Sequence, residues 1–253
     1  MNDAPVSHKP PCILHCRCRH ADTIAPETQA AAEDALRRCG ATVIHVDDLC
    51  GCAARSDPLL DACARSGRLT VVACHPRAVR ALFHRVGSVL DPDRTTLVDL
   101  RVETPETVFE ALASCAGASG TAMEQTDATD APGFWRPWYP VIDADRCVDC
   151  GQCFEFCLFG VYGCDDEGRI RVANPEQCKN NCPSCARLCP QVAILFPKLE
   201  EESPVSGTDE DPAQAVGRVR LTREALFGGG LLDKLRDRQS RVRLLRKGVV
   251  DEP

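Results

Sequence analysis

The chain has 253 residues, 44% of them hydrophobic and 26% charged, with a formal net charge of −7 and 18 cysteines. That length carries two modest domains as readily as one large core, no apolar run approaches the roughly 18 residues of a membrane helix, and the acidic balance argues against general nucleic-acid binding. The first residues lack an apolar stretch with a small-residue cleavage site, so a cytoplasmic protein is expected, and cysteines in a reducing compartment point to metal, cluster or thiol redox chemistry rather than to disulfides.

Residues 1–115 alternate β-branched runs with helical patterns. The strand candidates are "PCILHC", "ATVIHV", "LTVVAC" and "TTLVDL"; the helix candidates are "PETQAAAEDALRRCG", "DPLLDACARSG", "PRAVRALFHRVG" and "TPETVFEALASC". Such alternation predicts an open parallel sheet covered by helices, a flavodoxin-like α/β domain with right-handed crossovers. Cys16 and Cys18 then close the first strand, Cys50 and Cys52 follow the second, and Cys74 ends the third. All five fall at the carboxyl edge, where open α/β sheets bind ligands.

Strand ends about 4.8 Å apart allow Cys16, Cys50 and Cys74, with Cys18 or Cys52, to surround one iron–sulfur centre. A redox-active dithiol, a zinc site using His15, His20 or His75, and ordinary packed thiols are the other readings. His75 precedes a helix that starts with proline and is read as a cap for backbone groups. Cys12, Cys39, Cys63 and Cys115 lie off this edge and read as buried thiols.

Residues 116–133 lack periodicity and read as a linker. Residues 134–199 form a second domain, residues 200–214 an acidic linker, and residues 215–253 a basic helical tail. Within the tail, residues 218–247 carry ten Lys or Arg against three Asp or Glu, and Leu231, Leu232, Leu235, Leu244 and Leu245 recur on a roughly helical period. A solvated face is the plain reading of that pattern; docking to an acidic partner or to the chain's own acidic surface is the sharper one.

The second domain holds two cysteine runs. "CVDCGQCFEFC" spaces Cys147, Cys150, Cys153 and Cys157 as C-x2-C-x2-C-x3-C, and "CKNNCPSCARLCP" spaces Cys178, Cys182, Cys185 and Cys189 as C-x3-C-x2-C-x3-C. They are internal repeats: "VIDADRC" matches "VANPEQC", and one residue is inserted after Cys178. Four-cysteine zinc sites use paired C-x2-C knuckles instead of such runs. Cys164 matches nothing in the other repeat and reads as a spare thiol. Phe154, Phe156, Phe159 and Tyr162 read as core packing close to the first run.

Residues 134–199 resemble the bacterial two-cluster ferredoxins, an α+β fold. That resemblance implies two 4Fe–4S clusters with crossed ligation: Cys147, Cys150, Cys153 and Cys189 for cluster I, and Cys178, Cys182, Cys185 and Cys157 for cluster II. Leu158 stands where the family has proline, and the inserted residue reshapes one ligand loop. Upstream, "LTVVACHPRAVRALFHRVG" with "LHCRC" and "LC" resembles the N-terminal region of a heterodisulfide reductase subunit, implying a redox module. No G-x-G-x-x-G follows a strand, so neither a flavin nor a nicotinamide site is expected. The chain is thus read as an iron–sulfur electron-transfer protein serving a redox partner, or a subunit within an oxidoreductase complex. The alternative is a catalytic redox subunit in which the N-terminal cysteines carry the chemistry.

Overall fold

The computed structural model describes residues 12–39, 41–113, 123–124 and 135–211. Five parallel strands, β1 (Cys12–Cys16), β2 (Thr42–Val46), β3 (Leu69–Ala73), β4 (Thr95–Asp99) and β5 (Met123–Glu124), lie in the order β4-β3-β1-β2-β5. Helices α1 (Pro26–Arg38) and α5 (Pro105–Ala113) cover one face; α2 (Leu49–Ala54), α3 (Pro58–Ala64) and α4 (Pro76–Arg85) cover the other. Alternate residues of the central strand serve the two faces. Ile13 packs with Ala32, Leu36, Val108 and Leu112, whereas Leu14 and Cys16 pack with Leu60, Ala78 and Leu82. Burial on both sides is why β1 reads as a continuous apolar run, the usual signature of a parallel sheet.

The structure corrects the sequence expectation in several places. The run β2-β1-β3-β4 follows the flavodoxin order, but β5 lies beside β2 instead of beyond β4. Met123 and Glu124 pair with Ile44 and His45, inside the stretch read as a linker. Two residues are too few to show a period of two. The rest of that linker and the basic tail from residue 212 onward lie outside the described residues. Cys50 and Cys52 follow the second strand as expected, but on a helix that the sequence reading did not include: they ride on α2, a six-residue helix whose N-cap Asp48 accepts the Cys50 N–H at 3.0 Å, the usual satisfaction of a free amide at a helix start.

The second half contains β6 (Val141–Ile142), α6 (Gln152–Phe156), β7 (Tyr162–Cys164), β8 (Ile170–Val172), α7 (Ser184–Leu188) and β9 (Ile194–Leu195). The sequence repeat is a two-fold repeat of structure. β6, which opens the first repeat, pairs antiparallel with β9, which closes the second; β7 and β8 pair in the complementary way. Left-handed residues recur at matching places: Asp149 (φ 48°) and Asn181 (φ 57°) each precede a second cysteine, and Gly160 (φ 68°) matches Val192 (φ 50°). The inserted residue in the second loop is therefore absorbed before Asn181.

The halves share one core. Tyr139, Val141, Val161, Ala186, Leu195 and Phe196 belong to the same buried cluster as Leu14, Leu49, Leu60 and Leu82. Residues 200–211, expected as an acidic linker, close the junction. Val205 and Ser206 are buried, and Gly207, at φ 125°, passes so near α4 that a Cβ there would stand 3.1 Å from the Ala78 Cβ. The buried Arg77 guanidinium ties the parts together: it donates to Asp143 Oδ2 at 2.5 Å, to the Pro204 carbonyl at 3.0 Å and to the Val192 carbonyl. Arg77→Leu strands the Asp143 carboxylate and those carbonyls. Denaturant unfolding should show a loss of about 3–5 kcal/mol, the usual result of removing one partner of a buried ion pair.

Candidate functional site

Eight cysteines gather in the second half on the two ligand loops and the two short helices. Cys147, Cys150, Cys153 and Cys189 line one recess, walled by Ile142, Val148, Ile170 and Ile194. Burial pushes the Cys153 thiol up to about 12, reinforced by Cys185, Cys189 and Cys147. The other four are also mutual neighbours. Burial raises Cys178 to about 12 with help from Cys182 and Cys157, and Cys185 to about 12 with help from Cys178 and Cys157, while the hydroxyl of Tyr162 pulls Cys185 the other way. Cysteine binds a cation or cluster as the thiolate, so binding one here would displace these protons. The backbone N–H of Ala193 donates to the Cys189 sulfur at 3.3 Å, the kind of contact that tunes a cluster.

The aromatic residues divide. Tyr162 is buried, as expected, but Phe154, Phe156 and Phe159 are 46%, 41% and 44% exposed, and Leu158 is 93% exposed. Core packing is thus overturned for the three phenylalanines. They sit on or just after the short α6, whose single turn and a half leaves one side facing outward.

In the first half, Cys16 ends β1, Cys18 follows at φ 50°, and Cys74 follows β3. Their place is the switch point of the sheet. The helix after β1 covers one face and the helix after β3 the other, which opens a crevice between the two strand ends. The Cys16 and Cys18 thiols are near neighbours, and their interaction raises Cys16 and lowers Cys18. Burial pushes Cys50 and Cys74 well up; Cys74 and Cys18 add to the shift of Cys50, and Cys18 to that of Cys74. Four of the five expected thiols are therefore neighbours at this edge. Cys52 is not among them: it neighbours Cys63, which lies beside Cys12. Two residues apart on a helix point to different sides, so α2 sends Cys50 to the crevice and Cys52 away.

Two residues at this crevice escaped the sequence reading. Asp48 and Lys198 form a buried ion pair there. Burial disfavours the Lys198 ammonium, but Cys50 and Asp48 outweigh it and the net shift is upward. A lone lysine at the end of an apolar strand, "AILFPK", was the only available signal. His75 is not a backbone cap. Its Nδ1 lies 2.9 Å from Asp99 Oδ2 and its Nε2 2.8 Å from Glu202 Oε2. His15, fully buried, faces away from the thiols with its ring nitrogens 3.0 Å from His45 Nδ1 and 3.1 Å from Gln29 Nε2. Cys39 donates to the Leu36 carbonyl, Cys164 is exposed, and Cys115 lies outside the described residues. Among the described residues no three His, Cys, Asp or Glu side chains converge closely enough to hold a single ion. The recess lined by Cys147, Cys150, Cys153 and Cys189 instead has the donor set of a multi-iron group.

A two-fold backbone carrying two four-cysteine runs defines an iron–sulfur protein of the ferredoxin class. A family model described as a 4Fe–4S binding domain matches residues 139–162. Pyruvate synthase subunit PorD of Methanocaldococcus jannaschii is 36% identical over 70 residues, 28% of this chain and 77% of that protein. Ferredoxin-3 of Nostoc is 31% identical over 84 residues, covering 26% of this chain and 86% of that protein. An uncharacterized ferredoxin of M. jannaschii is 43% identical over 61 residues, of which the chain spans 41% of the length. No solved structure matches. The chain belongs to the 4Fe–4S ferredoxin family, and its chemistry is iron–sulfur electron transfer. Among the described residues no helix is long and apolar enough to cross a membrane.

Burial, then His45 and Arg17, hold the His15 imidazole down to about 3. With the folded value below the unfolded one near 6.5, the unfolded chain binds the extra proton, so stability falls as pH drops from about 6.5 towards about 3. A nuclear magnetic resonance titration should find this ring neutral at pH 5.

Proposed function

We propose that this chain is an electron-transfer subunit of a cytoplasmic oxidoreductase, with two 4Fe–4S clusters in residues 134–199 and a third iron–sulfur centre in residues 1–115. When bound, such clusters take up and release single electrons. Cluster I uses Cys147, Cys150, Cys153 and Cys189, and cluster II uses Cys178, Cys182, Cys185 and Cys157. The observation that carries this reading is the recess lined by Cys147, Cys150, Cys153 and Cys189, because Cys189 reaches it from the other repeat. The third centre uses Cys16, Cys18, Cys50 and Cys74. Supporting it are the switch-point position, the nearness of these four thiols to one another and the Leu49 N–H that donates to the Cys16 sulfur at 3.3 Å. The resemblance to a heterodisulfide reductase subunit is consistent with a redox role for that half.

The subunit reading draws on the PorD relatives and on the delta subunit of NADH-dependent phenylglyoxylate dehydrogenase of Aromatoleum evansii, 38% identical over 60 residues and 61% covered. Val148, Phe154, Phe156, Leu158 and Phe159 present an apolar face next to Cys150, Cys153 and Cys157. A partner's redox centre brought against that face comes near both clusters; the basic tail is a second contact.

Anaerobic preparation should give about twelve irons and twelve acid-labile sulfides per chain, each cube holding four. Cys153→Ala should remove or convert cluster I and leave the low-temperature spectrum of reduced cluster II in place. Cys50→Ala should lower the count to about eight. Eight irons in the wild type would remove the third centre, and zinc alone would remove the whole reading.

A further inference from the structure

The thiol crevice is closed from outside its own domain. Lys198 follows β9 in the ferredoxin half, yet its Nζ pairs with Asp48 at the start of α2, close to Cys50. Its side chain is 6% exposed and that of Asp48 is fully buried. The loop that carries it is held rigidly. Arg101, which follows β4, donates to the carbonyls of Pro197 at 3.1 Å, Leu199 at 3.0 Å and Glu200 at 3.1 Å, bracketing Lys198 on both sides. Glu202, which also pairs with Arg101, reaches His75 beside Cys74. Tyr139 donates to the Cys50 carbonyl at 2.6 Å, and Trp138 packs near Phe196 at 5.4 Å between ring centroids on the same flank.

A buried ammonium is costly unless something nearby requires its charge. Asp48 alone would balance it, but four thiols that ionise on binding a group add negative charge in the same low-dielectric space. Net charge around an iron–sulfur group is one of the quantities that set its potential. We propose that Lys198 is the counter-charge of the N-terminal centre, a positioning and tuning residue by which the ferredoxin half raises the reduction potential of a centre in the other half. This rests on the reading of Cys16, Cys18, Cys50 and Cys74 as cluster ligands. The consequence is directional: a higher potential makes the N-terminal centre the sink for electrons arriving through the ferredoxin clusters, as long as the halves stay docked.

The test is a redox titration of the full chain followed by low-temperature electron paramagnetic resonance, with iron counted on the same samples. Lys198→Met should lower the reduced-to-oxidised ratio of one centre about tenfold at fixed applied potential, equal to about 59 mV for a one-electron couple; the other two centres should not move. Lys198→Arg keeps the charge and should restore the ratio. Asp48→Asn still accepts the Cys50 N–H but removes a negative charge, so its shift should be upward; this variant decides the matter if Lys198→Met fails to fold. Twelve irons with no shift of any centre in a folded variant overturns the proposal and leaves the third centre standing. Eight irons in the wild type overturns the third centre itself, and the proposal with it.

Discussion

One guanidinium organises the junction on which both sites depend. Arg77 sits at the start of α4, in the half that holds the N-terminal thiols, but its donors go to Asp143, Val192, Pro204 and Thr208 in the other half. With its N–H donors fixed in a planar fork, an arginine can bridge several chain segments at once where a lysine cannot. Asp143 in turn accepts the Asp145 N–H at 3.1 Å through its other oxygen and so shapes the turn that leads into Cys147. The first ligand loop of the ferredoxin half is thereby braced against the α/β sheet.

The same contact bears on strain. Val192 holds a left-handed conformation that β-branched residues rarely adopt, at a place where the first repeat has Gly160. Its buried side chain fills the core and its carbonyl is captured by Arg77. Packing and a charged hydrogen bond together offset a backbone cost of order 1–3 kcal/mol. The two halves of the repeat have thus diverged in chemistry while keeping one backbone path: the glycine copy lies near solvent, the valine copy at the domain junction.

Much of this was legible in the chain. The cysteine runs and their repeat marked the ferredoxin half, and β-branched runs between helical patterns marked the four long strands and the thiols at their carboxyl ends. What escaped reading depends on tertiary contact. Helix α2 has six residues and a glycine among them, too short and too weak in propensity to announce itself, and without it Cys50 and Cys52 look equivalent. The stretch from Glu200 to Asp211 is polar by composition, but its backbone carbonyls are what Arg77 and Arg101 require. Phe154, Phe156 and Phe159 are apolar without being buried, since composition says that a residue is hydrophobic and not whether its neighbours cover it.

The closed junction also imposes an order on biogenesis. Cys74 and Lys198 are separated by about 120 residues, which take on the order of ten seconds to synthesise at about 5–20 residues per second. Until the segment from Phe196 to Thr208 has emerged and docked, Asp48 lacks Lys198 and the thiols at the sheet edge lack the chain that covers them. During that interval they are open to solvent; afterwards Cys16, Cys50 and Cys74 are buried and Cys18 is half-buried. Any group that the buried Cys16, Cys50 and Cys74 were to bind would therefore meet them in the nascent or partly assembled chain, because a fully folded molecule would have to open its shared core to admit it.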